Sequence, residues 1–419
     1  MNVLRTAEIL AVGSELLTPF RVDTNSLYLT GQLNELGIDV RNKGVVGDDP
    51  TDIRVRVLAA LDRADIVITS GGLGPTGDDL TREGVAAALG LTLAEDATVL
   101  AAIRKRFELR GLQMPDGNRR QAAVPAGAAV LPNPNGTAPG LWIESGGKIV
   151  VLLPGPPREL QHIFQTDVKP RLAARNSGAR VLRRVLKITG RAESIVDDVA
   201  QPIYAPLAGA AIPIETSILA SPGQIELHLS ARGEDMAAME RALQDGVDRL
   251  AAALAPAVFS TDGRALERGV GDALLAKGAR IAVAESCTGG LLGGRLTEVP
   301  GSSAWFAGGV IAYDNSVKTR ELAVPEHMLA MHGAVSEPVA RAMAEGVRQR
   351  FGTELGVSIT GIAGPDGGSA EKPVGTVAIA LAGPEARARV FRFAGDRQMI
   401  RQQSVLAALE MVRQSLGGL

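Results

Sequence analysis

Ile66-Val67-Ile68-Thr69-Ser70-Gly71-Gly72-Leu73-Gly74-Pro75-Thr76-Gly77-Asp78-Asp79 is the stretch from which the fold of the chain's first part is read. A short β-branched run breaks into glycines and leads to a helix predicted near 79–89, so it reads as strand, tight loop and helix. Outward from it the alternation repeats. Residues 7–12 form a strand ending at Gly13-Ser14-Glu15, and Asp23-Thr24-Asn25-Ser26 offers cap chemistry for a helix through Leu36, stopped by Gly37. Residues 38–46 are a strand, 52–63 and 96–110 helices, and strands near 128–131, 141–144 and 148–153 complete residues 1–170. Such alternation implies an α/β domain: a parallel sheet, helices on both faces, ligands at the strands' carboxyl ends.

Residues 171–258 change character. A strand (181–189), a helix (192–200), two strands (216–220 and 224–231) meeting at Ser221-Pro222-Gly223-Gln224, and a long helix (235–254) make a small α+β module. It carries no visible chemistry and reads as a connector. A boundary falls at 256–263. Residues 259–419 then form a second α/β domain, with strands at 281–285, 305–312, 355–360, 374–381 and 387–393 and helices at 265–276, 336–350 and 397–415.

Composition narrows the function. The 419 residues carry 44 Lys+Arg against 46 Asp+Glu, a net charge of −2, which argues against a dedicated nucleic-acid binder. One cysteine, Cys287, excludes an intramolecular disulfide and a thiolate-rich metal site. The beginning of the chain lacks the long apolar stretch of a signal peptide, and no apolar run is long enough to span a membrane, so the expectation is a cytoplasmic protein. With 49 Gly, 23 Pro and few aromatics, the core is expected to be aliphatic and the loops numerous.

Gly72, Gly74 and Gly77 spell G-x-G-x-x-G, but Pro75 stiffens the loop and Asp78-Asp79 sit where an anion would lie. Carboxylates beside a phosphate loop make sense if Mg²⁺ bridges them to substrate phosphates. The simpler explanation is that Asp79 or Thr81 caps the next helix. A second loop, Leu153-Pro154-Gly155-Pro156-Pro157, also leads from strand to helix, and Gly155 followed by helix-start N–H groups is a candidate anion site. The polar loop 133–140 is a third. Together they suggest a nucleotide-like ligand, without a Walker A sequence.

In the last domain Ser286 follows a strand directly, and Thr288-Gly289-Gly290 stand at a helix start whose N–H groups are expected to point at whatever Ser286 attacks. A serine nucleophile needs a base. Tyr313-Asp314-Asn315-Ser316-Val317-Lys318 ends another strand, and a desolvated lysine serves that purpose. Thr360-Gly361 ends a third strand. Capping of a helix by Ser286 or Thr288, with Lys318 solvated, explains the same residues without chemistry. Cys287 is the rival nucleophile, though buried packing is its more ordinary role. Arg397 and Arg401, four apart on one helix face, are candidates for a substrate phosphate, or simply a solvated face.

Taken together, Ala284-Glu285-Ser286-Cys287-Thr288-Gly289-Gly290, Tyr313 to Lys318, His332-Gly333-Ala334-Val335-Ser336-Glu337, Thr360 to Gly364, Lys372-Pro373-Val374-Gly375, the Ser70 to Thr76 loop and Pro154-Gly155-Pro156-Pro157 resemble the competence/damage-inducible CinA family over essentially the whole chain. The resemblance implies a three-layer α/β molybdopterin-binding-like domain (1–170), the α+β connector (171–258) and an α/β nicotinamide mononucleotide (NMN) deamidase domain (259–419). It implies that Ser286 attacks the NMN carboxamide, Lys318 takes its proton, Tyr313 assists and Thr360 positions. Thr288, Gly289, Gly290, Gly361, Arg397 and Arg401 would meet substrate, and no cofactor is needed there. For the first domain it implies metal-dependent ADP-ribose pyrophosphatase activity, with phosphate contacts from Gly71, Gly72, Gly74, Thr76 and Gly155. A divalent metal, Mg²⁺ by its chemistry, would sit on Asp78, Asp79 and Glu15. A homodimer is also implied. Two alternatives are a first domain that only binds a pterin or nucleotide, and a competence or DNA-repair accessory. The latter has only the short clusters Arg104-Lys105-Arg106, Arg119-Arg120 and Arg183-Arg184 to support it.

Overall fold

The computed structural model describes residues 4–175 and 180–418. Chain contacts divide into two units: one runs to Leu182 and includes Arg232–Met236, the other takes Arg183–Ala231 and everything from Ala237.

The first unit is built on β1 (Thr6–Val12), β2 (Asp39–Val46), β3 (Ile66–Ser70), β6 (Ala129–Leu131), β7 (Gly140–Ser145) and β8 (Lys148–Leu153), in the order β2-β1-β3-β8-β7-β6, with β4 (Leu93–Glu95) and β5 (Ala123–Pro125) as a separate two-stranded ribbon. β2, β1, β3 and β8 are parallel, as expected, but β7 runs antiparallel to them, and β6, antiparallel to β7, returns to their direction. The reason is local: Gly146 and Gly147, both at positive φ, close β7 onto β8 in a tight turn, and a parallel pairing would need a long crossover. Alternation along β1 feeds two cores. Ala7 and Ile9 pack with Leu29, Leu33, Ile163 and Phe164 on one face, and Leu10 and Val12 with Ile53, Val57 and Ile103 on the other. Helices on both faces make three layers. Asp23, Asp49 and Asp96 cap the helices Thr24–Glu35, Pro50–Arg63 and Ala97–Glu108 with their side chains, Asp23 accepting one N–H group of the first turn and the other two accepting two each.

Mostly within the second unit, β9 (Arg180–Thr189), the helix Glu193–Tyr204, the hairpin β10 (Ile214–Ser221) and β11 (Gln224–Gly233), and the helix Met236–Leu254 follow the expected order. Ser221 pairs with Gln224 across Pro222-Gly223, where Gly223 has φ +83°. The segment read as a boundary contains β12 (Val258–Ser260), which pairs antiparallel with β9. Downstream, β13 (Ile281–Glu285), β14 (Phe306–Ile311), β15 (Leu355–Gly361), β16 (Thr376–Ala382) and β17 (Arg387–Arg392) form a sheet ordered β14-β13-β15-β16-β17. Neighbours β14, β13 and β15 are parallel; β16 returns antiparallel to β15, and β17, antiparallel to β16, runs again in their direction. Ile281 and Val283 pack toward the helices Leu266–Lys277 and Arg397–Ser415, and Ala282 and Ala284 toward Glu337–Phe351. No helix among the described residues is long and apolar enough to cross a membrane.

Candidate functional site

The parallel register sets three strand ends in one row. Glu285 lies opposite Ile311 on one side and Ile359 on the other, so the next residues, Ser286, Ala312 and Thr360, emerge side by side at the carboxyl edge. The Ser286 N–H donates to Ile359 O at 2.9 Å and the Ala312 N–H to Glu285 O at 2.7 Å, fixing that alignment. Lys318 sits one turn into the helix Asn315–Leu322, which Asp314 caps. Its side chain is 1% exposed, and Nζ donates to Ala312 O at 2.8 Å and Tyr313 O at 3.3 Å. Burial pulls its ammonium below the usual lysine range. The solvated lysine of the simpler explanation is excluded.

The helix after Ser286 starts at Leu291, and the expected anion site at its start is already filled. Glu285, 1% exposed, accepts the N–H groups of Gly290 (3.1 Å), Leu292 (3.0 Å) and Gly293 (2.8 Å). The Gly289 N–H is used as well, donating to Ser286 O. Gly289 and Gly290, at φ +60° and +96°, therefore serve the turn rather than a ligand. Among the described residues, the Thr288 N–H makes no hydrogen bond and the Cys287 N–H faces only its own thiol; these are the donors left beside Ser286. Glu285 was the signal missed in the sequence: an acid at the end of an otherwise apolar strand.

Thr360, also buried, donates its hydroxyl to Ala334 O, leaving its oxygen as an acceptor. Gly361 has no room for a side chain, since a Cβ would stand 2.6 Å from Val377 Cγ2 and 3.1 Å from Cys287 Sγ. Cys287 is buried, which pushes its thiol up to about 11, so it stays protonated at neutral pH. Arg397 and Arg401 are not a merely solvated face. Arg397 donates to Gly364 O at 2.7 Å and to the exposed Tyr313 hydroxyl at 3.0 Å, and Arg401 to Thr288 O at 2.7 Å. Two polar atoms here are buried without a partner, Thr288 Oγ1 and Arg401 Nε. Buried polar groups are ordinarily satisfied, so two unpartnered atoms this close together are unusual.

In the first unit a cavity of about 680 Å³ gathers Glu15, Asn25, Gly71, Gly72, Gly74, Thr76, Asp78, Asp79, Thr137 and Gly155, bringing all three sequence-predicted loops together. The glycine loop is not an open phosphate cradle, however. Asp79 accepts the N–H groups of Gly74 (2.7 Å) and Thr76 (2.9 Å) and the Thr76 hydroxyl, while the Gly71 N–H donates to Leu153 O. Gly71 and Gly72 answer to packing: a Cβ would stand 2.2 Å from Val12 O at the first and 2.1 Å from Thr81 Oγ1 at the second. Arg82, 1% exposed and unremarked in the sequence, holds the carbonyls of Leu73 and Gly74 from inside, and burial lowers its pKa. Asn25 bridges two loops, donating to Ser70 Oγ (3.0 Å) and Gly155 O (2.7 Å), and its Oδ1 is buried and unpartnered.

Asp79 therefore does not fit the expected metal-ligand set. Among the described residues no three His, Cys, Asp or Glu side chains gather to hold an ion. Glu15 and Asp78 line the cavity as exposed carboxylates. That suits an ion completed by substrate phosphate oxygens, which needs only one or two carboxylates.

Comparison with known proteins places both halves. Residues 8–174 match the probable molybdopterin binding domain, and residues 263–416 the CinA C-terminal domain. A CinA-like protein of Koribacter versatilis is 49% identical over 98% of this chain and 99% of its own, and a putative competence-damage inducible protein of Desulforudis audaxviator is 45% identical over 98% of each. The solved competence/damage inducible protein CihA of Agrobacterium tumefaciens is 41% identical, covering 36% of this chain and 93% of its own, with a TM-score of 0.35. The chain belongs to the CinA family of competence/damage-inducible proteins, with a molybdopterin-binding-like domain followed by a CinA C-terminal domain.

Proposed function

We propose that the Ser286 row hydrolyses the carboxamide of NMN, giving nicotinate mononucleotide and ammonia. The observation that carries this reading is the buried Lys318 beside the strand end that bears Ser286. A neutral amine has two N–H donors; Ala312 O and Tyr313 O engage both, leaving the lone pair to take a proton. Lys318 removes the Ser286 proton as Oγ attacks the carboxamide carbon. The N–H groups of Cys287 and Thr288 receive the oxyanion. The C–N bond breaks, ammonia leaves with the proton from Lys318, and water then cleaves the acyl ester and restores Ser286. Thr288 Oγ1, Arg401 and Arg397, which is anchored on Tyr313, supply contacts to the phosphorylated ribose. Purified protein incubated with NMN should release ammonia; Ser286→Ala, correctly folded, should release none. Full activity in that variant would remove Ser286 from the reaction.

For the first unit we propose hydrolysis of ADP-ribose at its pyrophosphate. A divalent ion, when bound by Asp78 and Glu15, would neutralise the phosphates. Asn25 Oδ1 would accept from a ligand hydroxyl, and Asp79 and Arg82 would hold the glycine loop in shape. The commitment of Asp79 favours a second reading, a site that binds a nucleotide or pterin without cleaving it. Mg²⁺-dependent AMP release from ADP-ribose, lost in Asp78→Ala, decides for hydrolysis; no release at any Mg²⁺ concentration decides for binding alone.

A further inference from the structure

The second unit contains another cavity, of about 770 Å³, that shares no lining residue with the Ser286 row. Side chains of a strand alternate between its faces, so Arg387, Arg389 and Phe391 of the edge strand β17, with Phe393 just beyond it, share one face and line this cavity. The Phe391 and Phe393 rings are stacked, 5.3 Å between centroids and 10° between planes. The Arg389 guanidinium lies 4.8 Å from the Phe391 centroid. Gln403 of the helix Arg397–Ser415 lines the cavity too, as does Arg191 at the end of β9.

Charge is unevenly distributed here. Glu410 is neutralised by two 2.8 Å hydrogen bonds from Arg413, and Arg387 is paired with Glu385. Arg191 and Arg389 have no carboxylate partner among the described residues; Arg191 only donates to Ala255 O at 3.3 Å. The cavity thus offers an aromatic floor under two unneutralised guanidinium groups, within the ~300–1,000 Å³ usual for small-molecule sites. Aromatic faces stack with planar bases, and guanidinium pairs with phosphate. Gln403 spends its amide N–H groups on Ala394 O and Met399 O, which keeps its carbonyl oxygen for an exocyclic amine.

We propose that this cavity is a third ligand site, taking a nucleoside monophosphate with an exocyclic amine on its base. The base lies at the Phe393 end of the stacked Phe391–Phe393 pair, and the phosphate meets Arg191 and Arg389. The test uses full-length protein photolabelled with 2-azido-AMP, then digested and mapped. Label should appear in peptides containing 387–393 or 403–411, be displaced by AMP, and resist the same concentration of inorganic phosphate. Arg389→Gln and Phe391→Leu should each cut that label by about tenfold, with unchanged circular dichroism and unchanged ammonia release from NMN. If Phe391→Leu fails to fold, Arg389→Gln, on an exposed position, carries the test. Label confined to the loops 70–79 and 154–157, displacement by phosphate alone, or undiminished label in folded Arg389→Gln would overturn the proposal.

Discussion

Glu285→Gln is the sharpest single perturbation of the second unit. The buried carboxylate accepts three hydrogen bonds from backbone N–H groups, two through one oxygen and one through the other. An amide keeps the shape but retains one acceptor oxygen and turns an NH₂ group toward at least one N–H. A hydrogen bond to a charged group contributes about 1.5–3 kcal/mol, and a buried donor left without a partner costs a similar amount. The substitution should therefore cost roughly 3 kcal/mol, which lowers the melting temperature of a domain this size by roughly 6–12 °C. The same N–H groups shape the turn that carries Cys287 and Thr288, so kcat for ammonia release should fall further than KM rises. Calorimetry on parent and variant, with NMN turnover measured below both transitions, checks each half. A variant that melts within a degree of the parent, with kcat intact, would refute the claim that Glu285 holds the turn.

Three further outcomes follow from the geometry. Lys318 must be neutral to act as base, so NMN turnover should rise with pH up to its lowered pKa, and Lys318→Arg, which stays charged, should lose about 10²–10⁴ in rate. The folded amine holds its proton less tightly than the unfolded one, so between those two pKa values the unfolded chain binds more protons and stability rises with pH, measurable by denaturant titration at successive pH values. Cys287→Ala should keep NMN turnover, and iodoacetamide at neutral pH should leave the enzyme active, because its thiol is buried and protonated; inactivation by either would make Cys287 the nucleophile. In the first unit, Asp79→Asn should cost about 1–3 kcal/mol by loosening the glycine loop, whereas exposed Asp78→Ala should change stability by no more than about 0.5 kcal/mol, a contrast that thermal melts resolve.

Much of the architecture is legible in local patterns. Asp23 announces its helix, Pro222-Gly223 announces its hairpin, and β-branched apolar runs such as 66–68 announce buried strands. Strand direction was harder to read, because β7 and β16 look no different in composition from their parallel neighbours; only the connection lengths, seen in retrospect, separate them. At the candidate sites, residue identity was legible but hydrogen-bond partners were not. Asp79 and Glu285 both stand beside glycine-rich turns, where a carboxylate either awaits a cation or consumes the turn's own N–H groups. Spacing is the same in both cases, and only the fold decides. Arg82 illustrates a further gap: a helical arginine reads as surface, yet the carbonyls of Leu73 and Gly74 draw it inside.

The row formed by Ser286, Ala312 and Thr360 also bears on how activity returns after denaturation. Its members come from strands far apart in the chain, and it exists only while β13 is in register with both β14 and β15. A slip of one residue would turn Ser286 to the opposite face of the sheet. No fragment ending before residue 355 can assemble the row, and a refolding chain regains it only when its most distant strand has docked. Recovered NMN turnover would then time the last pairing in the sheet, whereas far-ultraviolet dichroism would register the helices that form before it.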